Sequence, residues 1–268
     1  MLDLIAAQAP AFLLVAARCF ALVLTLPLFS QRTVPRMAKV AFAGYLAYLM
    51  LPHADLARYA PYLVDGAFSL QYVLLLGGEV LLGIITGFYV TIIFAAFSTA
   101  GQFFAFQMGF SASEVYDALS QVENPLMGQF FNLIAMLIFL QNHWAQLLFS
   151  RALSSSFASI SAFSLVAGNE QVALFLLGGL SKLFADAFVI ALPIMGTLLL
   201  INVAMGMLSK ASPMMNMMSE GFPTMILVAF FLIMALLPHV CEFFTHSFEG
   251  AFVRLERLFV VLAPGGGS

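Results

Sequence analysis

Three predominantly apolar blocks in this chain are each too long for one straight crossing of a lipid bilayer. They run over Leu70–Phe110, Val172–Leu208 and Phe222–Leu262, and shorter ones occupy Leu4–Phe29, Met37–Leu51 and Leu126–Phe149. A hydrocarbon core about 30 Å thick is crossed by roughly 20 helical residues. Each long block must therefore tilt, kink or extend beyond the hydrocarbon, while Met37–Leu51 reads as a partial span or one that leans on its neighbours. Inside lipid the backbone has to satisfy its own hydrogen bonds, which leaves helices or a closed barrel. The strict alternation of a barrel strand is absent. The expected fold class is an all-α membrane protein of long kinked helices.

Composition narrows the function. Hydrophobic types make up 63% of the residues and charged types 9%, where a soluble domain carries about 25% charged residues. A soluble enzyme of this make-up could not cover its apolar surface. Net charge is −3 with no basic run, so no nucleic acid is expected as a partner. Phe occurs 29 times and Trp once, leaving an interfacial belt to rest mainly on Tyr. Cys19 and Cys241 lie in apolar blocks and read as small core residues rather than a disulfide. The N-terminus lacks a signal-peptide pattern, with Asp3 where a basic region would stand, and Pro264–Ser268 reads as a linker scar outside the fold.

The connections differ in chemistry. The first carries Arg32, Arg36 and Lys39, which the positive-inside rule places in the cytoplasm, putting the N-terminus outside. Alternation then makes the third connection, Ser111–Asn124, cytoplasmic and the C-terminus external. Yet that connection holds Glu114, Asp117 and Glu123 without a cation, and Arg254 and Arg257 stand near the C-terminus. A conventional bundle spanning a flat membrane does not fit this pattern. The Ser-rich stretch Ser154–Ser164 reads as a short helix lying at the surface.

Several constellations invite a functional reading beside a plainer one. Four charges, Arg18, Glu79, Lys182 and Asp186, sit within apolar blocks, where charge is costly and marks candidate sites. Lys182 and Asp186 are one helical turn apart and can neutralise each other; Arg18 and Glu79 can pair across helices. A small-molecule secondary transporter using Glu79, Lys182 and Asp186 is the alternative function, although the internal repeats of such folds are not evident. Gly83 and Gly87 form a GxxxG pattern that permits close helix approach, within the chain or against other subunits. His239, Cys241, Glu242 and His246 superficially suggest metal, but His239 and His246 stand two turns apart, too far to share an ion unaided; no metal site is expected. The polar run Gln107–Pro125 breaks two strongly apolar helices. It is either an exposed loop or a plug, since irregular backbone at membrane depth survives only beside a cavity or inside protein. In Ser209–Pro223, Met214, Met215, Met217 and Met218 make a soft, adaptable surface. No phosphate loop, nucleophile elbow or metalloprotease helix appears, so no enzyme and no cofactor is expected.

Taken in order, a set of fragments resembles the FliR family, the R component of the flagellar type III protein export gate, related to the T-type component of virulence secretion. They are Arg18 with Pro27, Arg32-Thr-Val-Pro35-Arg36, Glu79-Val-Leu-Leu-Gly83, Gly87-Phe, Gly101-Gln102 and Gln107-Met-Gly109-Phe110. They continue with Pro125-Leu-Met-Gly128-Gln-Phe-Phe-Asn132, Leu192-Pro193, Asn202-Val-Ala-Met-Gly206, Pro213-Met-Met-Asn216 and Gly221-Phe-Pro223. The resemblance covers nearly the whole chain. It implies one copy in a hetero-oligomer with the P and Q components, beside further export-apparatus membrane proteins and membrane lipid, conducting unfolded flagellar proteins. Residues 1–170 would be similar in fold to P and 171–263 to the Q hairpin. The assembly would sit in the bacterial inner membrane at the flagellar basal body, its helices raised toward the periplasm. Residues 109–124 would be the plug or gate, with Gly109, Phe110, Ser111, Ala112, Ser113, Glu114, Tyr116 and Asp117. The family often has Asp-Pro in that segment, where this chain has Asp117-Ala118. The cytoplasmic entrance loop would hold Lys210, Pro213, Met214, Met215, Asn216, Met217 and Met218.

Overall fold

The computed structural model describes residues 2–30, 34–54, 59, 69–109, 126–211 and 220–263, with side chains from residue 9 onward. Helices α1 (Leu2–Thr25), α2 (Pro27–Ser30) and α3 (Arg36–Met50) come first, followed by a single 3₁₀ turn at Leu51–His53. Then come α4 (Leu70–Gln107), α5 (Leu126–Gln141), α6 (Trp144–Leu147), a π-helical turn at Leu148–Ala152, α7 (Leu153–Ser159) and α8 (Ala162–Ala167). Two long helices, α9 (Asn169–Ala211) and α10 (Phe222–Leu262), close the order. Among the described residues there is no strand.

The long blocks are continuous helices of 38, 43 and 41 residues in α4, α9 and α10. At 1.5 Å per residue they extend roughly 57–65 Å, about twice a hydrocarbon core. Among the described residues these three are long and apolar enough to cross a membrane; the pair Leu126–Gln141 and Trp144–Ser159, bent by 69°, adds a fourth candidate. His143 makes that bend by taking φ 56, a left-handed conformation. Such a residue cannot continue a right-handed helix.

The residues group into two compact units that do not follow chain order. One comprises Met1–Ile92, Phe139–Gly179 and Phe248–Ser268; the other comprises Ile93–Ile138 and Leu180–Ser247. In the first, α1 packs on α4 through the GxxxG glycines. A Cβ on Gly83 would collide with the Arg18 carbonyl and approach the Ala21 methyl to 2.8 Å; one on Gly87 would collide with the Thr25 hydroxyl. The glycines thus serve helix approach within the chain. Pro27 stops α1, since the residue before a proline is driven out of helical geometry. The carbonyl freed at Thr25 accepts a 2.8 Å hydrogen bond from the Thr91 hydroxyl on α4. Trp144 stacks on Phe248 with centroids 4.9 Å apart and meets Phe139 edge-on.

The second unit is built on aromatic contacts. Phe97 and Phe94 of α4 meet Phe244 of α10, and Phe104 meets Phe131 of α5. Gly101 admits the start of α5, because a Cβ there would lie 2.6 Å from the Met127 carbonyl.

Candidate functional site

Charge in an apolar chain is the first place to look for function, and the first unit buries an ion pair completely. Arg18 and Glu79 are each 1% exposed, with Arg18 Nε donating to Glu79 Oε2 at 2.6 Å. The other two guanidinium nitrogens are engaged as well, and a ring covers one side of the plane. Nη1 donates to the Ser156 hydroxyl at 2.9 Å, Nη2 donates to the Ile160 carbonyl at 3.1 Å, and the Phe157 ring lies 4.4 Å below. The second Glu79 oxygen accepts from the Tyr59 hydroxyl at 2.6 Å. Burial, followed by the Glu79 carboxylate, pushes the Tyr59 hydroxyl up from its ordinary value, so it stays protonated and donating. Tyr59 also packs with Leu14, Tyr72, Leu75 and Ala162. Five chain segments meet at this pair: α1, α4, Tyr59, α7 and the α7–α8 corner.

The pairing of Arg18 with Glu79 follows the sequence expectation. Tyr59, Ser156 and the Ile160 carbonyl do not, since no spacing links positions 59, 79 and 160. The Ser-rich stretch is helical on both sides of a break at Ile160 and Ser161 and turns one face inward: Ser156 and Ile160 are each 2% exposed, while Ala158 and Phe163 are exposed. It is drawn inward because the guanidinium needs acceptors that apolar side chains cannot supply.

In the second unit Lys182 Nζ donates to Asp186 Oδ1 at 2.7 Å, one turn on, and the other carboxylate oxygen accepts from Ser247 of α10 at 2.8 Å. Asp186 is buried, but Lys182 departs from the expected burial, its side chain being 38% exposed. A flexible aliphatic stem lets the ammonium reach outward while one hydrogen bond holds it. Both clusters are closed pairs that neutralise their own charge. On α10, His239, Glu242 and His246 are exposed, and among the described residues no three His, Cys, Asp or Glu side chains gather as for a metal ion.

The second unit also contains the end of α4, where the polar break begins. Gln107 Oε1 accepts a 3.5 Å hydrogen bond from the Asn202 amide of α9. Gly109 takes φ +81, and a Cβ on it would collide with the ring of Phe222, the first residue of α10. Asn132 keeps its side-chain oxygen enclosed without a donor among the described residues.

The family model described as bacterial export proteins, family 1, matches residues 9–251. The chain belongs to this family. Relatives within reach include the flagellar biosynthetic protein FliR of Bacillus subtilis, 33% identical over 84% of this chain and 85% of the relative. FliR of Escherichia coli is 29% identical over 90% of this chain and 89% of the relative. The surface presentation of antigens protein SpaR of Shigella sonnei is 27% identical over 58% of this chain and 59% of the relative. Of the export-family positions expected to form the plug, Gly109 is described, whereas Phe110, Ser111, Ala112, Ser113, Glu114, Tyr116 and Asp117 lie outside the described residues. Of the entrance loop, Lys210 is exposed in the last turn of α9; Pro213, Met214, Met215, Asn216, Met217 and Met218 lie outside the described residues.

Proposed function

We propose that this chain is a core subunit of the flagellar type III export gate, forming with the P and Q components a gated channel for unfolded flagellar proteins across the inner membrane. The observation that carries it is the family match over residues 9–251, joined to relatives named as flagellar biosynthetic proteins. The helices agree in kind. The most apolar stretch of α4 is 61% buried, whereas those of α9 and α10 are 22% and 17% buried. Leu200, Leu227, Phe231 and Met234 are among the outward apolar side chains, at 71, 71, 63 and 69% exposure. Helices about twice the bilayer thickness cannot hide such faces in lipid alone, so sister subunits cover them, P-like packing serving residues 1–170 and Q-like packing serving 171–263. The assembly stands raised toward the periplasm, which accounts for the failure of the positive-inside pattern.

The chain does no chemistry of its own in this reading; energy comes from partners. At rest the polar segment 109–124 blocks the channel against ion leak, and it moves aside for substrate. The Met-rich loop 209–221 lines the cytoplasmic entrance and seals around substrates of varied sequence, because unbranched thioether side chains adapt to many shapes. The transporter alternative is disfavoured by the charges it would use: Glu79 is locked by Arg18 and Tyr59, and Asp186 by Lys182 and Ser247.

Two measurements test the proposal. Purification in a gentle detergent followed by intact-mass measurement yields a hetero-oligomer with P and Q; a lone chain or homodimer that takes up solute refutes it. Deleting Ser111–Gln121 raises ion leak through the inner membrane, and an unchanged leak removes the plug.

A further inference from the structure

The last third of α10 borders a cleft that the channel reading does not use. The cleft lies within the first compact unit, between α10 and the run from α6 into the π-helical turn, and holds about 320 Å³. Trp144, itself buried, lines it and ties its two walls together by stacking on Phe248. One wall adds Leu147 and Arg151, the latter on the π turn. The other is one face of α10, with Glu249, Phe252, Val253 and Glu256 at i, i+3, i+4 and i+7. A π turn is rare in a helix and recurs at functional sites. Charged types are only 9% of this chain, yet three of the side chains around this one cleft are charged. Arg151 Nε donates to Glu256 Oε1 at 2.8 Å, with the two side chains 70% and 38% exposed. A pair this open adds little to folding. A guanidinium has five N–H donors and a carboxylate about four lone-pair sites, so a single contact leaves both groups able to take a further partner. Glu249 stands two turns before Glu256 and is exposed.

We propose that this cleft binds the headgroup of a phospholipid bearing a primary ammonium, a phosphatidylethanolamine. Arg151 takes the phosphate, which a guanidinium matches with two parallel N–H bonds. The Glu249 carboxylate, with Glu256 on the same face, takes the ammonium, whose three N–H groups need acceptors. Leu147, Phe252 and Val253 give the glycerol end and the first methylenes an apolar bed. Charge selects this headgroup among phospholipids. One cation and two anions suit a ligand that carries both signs. A purely anionic headgroup brings the carboxylates nothing to accept from, and a trimethylated one fills the same place without an N–H. Size fits a headgroup and not a helix, since one helical turn 10–12 Å across and 5.4 Å tall occupies about 400–600 Å³, more than the cleft holds. The site needs only a chain standing in a membrane, whatever the gate conducts.

The single tryptophan reports from the cleft wall. The full chain is reconstituted into phosphatidylcholine vesicles, and Trp144 fluorescence is titrated with phosphatidylethanolamine, phosphatidylcholine or phosphatidylglycerol carrying brominated acyl chains, which quench on contact. Native mass spectrometry of the same protein counts the phospholipids it retains. Phosphatidylethanolamine quenches with about five-fold higher relative affinity than phosphatidylcholine, the scale of one exposed ion pair. Glu249→Gln brings that ratio close to one while Trp144 emission without quencher stays as in wild type. Arg151→Gln removes the retained phospholipid. Equal quenching by phosphatidylethanolamine and phosphatidylcholine in wild type overturns the proposal. So does a preference for phosphatidylglycerol, which makes the site a simple anion site, and so does a phosphatidylethanolamine preference that survives Glu249→Gln, which places its origin elsewhere. Absence of quenching by all three means that protein fills the cleft, and overturns it too. Should Arg151→Gln fail to fold, Glu249→Gln and Arg151→Lys decide: an unchanged ratio in the first with unchanged retention in the second overturns the site.

Discussion

Replacing Glu79 with leucine should be among the most damaging single changes in this chain, and the geometry sets the scale. The substitution leaves the Arg18 guanidinium 1% exposed with two neutral acceptors, Ser156 and the Ile160 carbonyl, and removes the acceptor of Tyr59. Breaking a buried pair from one side costs about 3–5 kcal/mol, because an uncompensated charge stays behind. Arg18→Met should cost a similar amount for the mirror-image reason. The double variant Arg18→Met with Glu79→Leu leaves no charge, and should fall within about 2 kcal/mol of wild type, since apolar replacement of a whole buried pair is often near neutral. The chain supplies its own probe: Trp occurs once, as Trp144, 5% exposed and stacked on Phe248 in the same compact unit as the pair. Denaturant titration of the detergent-solubilised chain, followed by tryptophan fluorescence, gives the three free energies. If Glu79→Leu costs less than about 1 kcal/mol, or the double variant is worse than either single one, the pair is not a closed buried unit and the one-sided penalty for a stranded charge does not apply here. Ordinary interhelical hydrogen bonds between membrane helices average about 0.6 kcal/mol, so the two accounts are well separated.

Three further outcomes are expected. Gly83→Val should destabilise the α1–α4 crossing by roughly 1–3 kcal/mol through overpacking, while Gly77→Ala, where a Cβ meets nothing within 4 Å, should change stability by less than about 0.5 kcal/mol; the same titration reads both. The Tyr59 hydroxyl is raised by burial and by Glu79 from an ordinary value of 10.0, so its contribution is full below that pH and is lost as pH rises through the higher folded value: the stability gap between wild type and Tyr59→Phe should be level up to pH 10 and shrink above it. Lys182→Met strands the buried Asp186 carboxylate and should lower the amount of folded chain, whereas Lys182→Met with Asp186→Leu should restore both yield and motility. Loss of motility in that restored double variant would make the pair more than a mutual neutraliser.

Much of the architecture was legible from the order of the residues. A helix in lipid must satisfy its own backbone, so an apolar block and a helix coincide: the block expected over Phe222–Leu262 is α10, and those over Leu70–Phe110 and Val172–Leu208 lie within a residue or a few of α4 and α9. The i to i+4 pair Lys182–Asp186 was equally local. The GxxxG at Gly83 and Gly87 announced a close approach but not its partner, and nothing along the chain could name Arg18, Ala21 and Thr25 as the surface it meets.

What only the tertiary structure decided are the contacts between residues far apart in sequence. Tyr59, Ser156 and Ile160 converge on Arg18 and Glu79 because each polar atom of a buried guanidinium and carboxylate needs a partner, and the segments able to reach are set by packing, not by periodicity. The Ser-rich stretch turns its Ser156 and Ile160 face inward for that reason. In the same way Ser247 reaches Asp186 and Phe222 covers Gly109. Helix identity and membrane character are local properties of composition and period, and the sequence alone settles them; which charge meets which partner, and which glycine is a seat rather than a spacer, depends on long-range packing that is determined only when the helices are placed side by side.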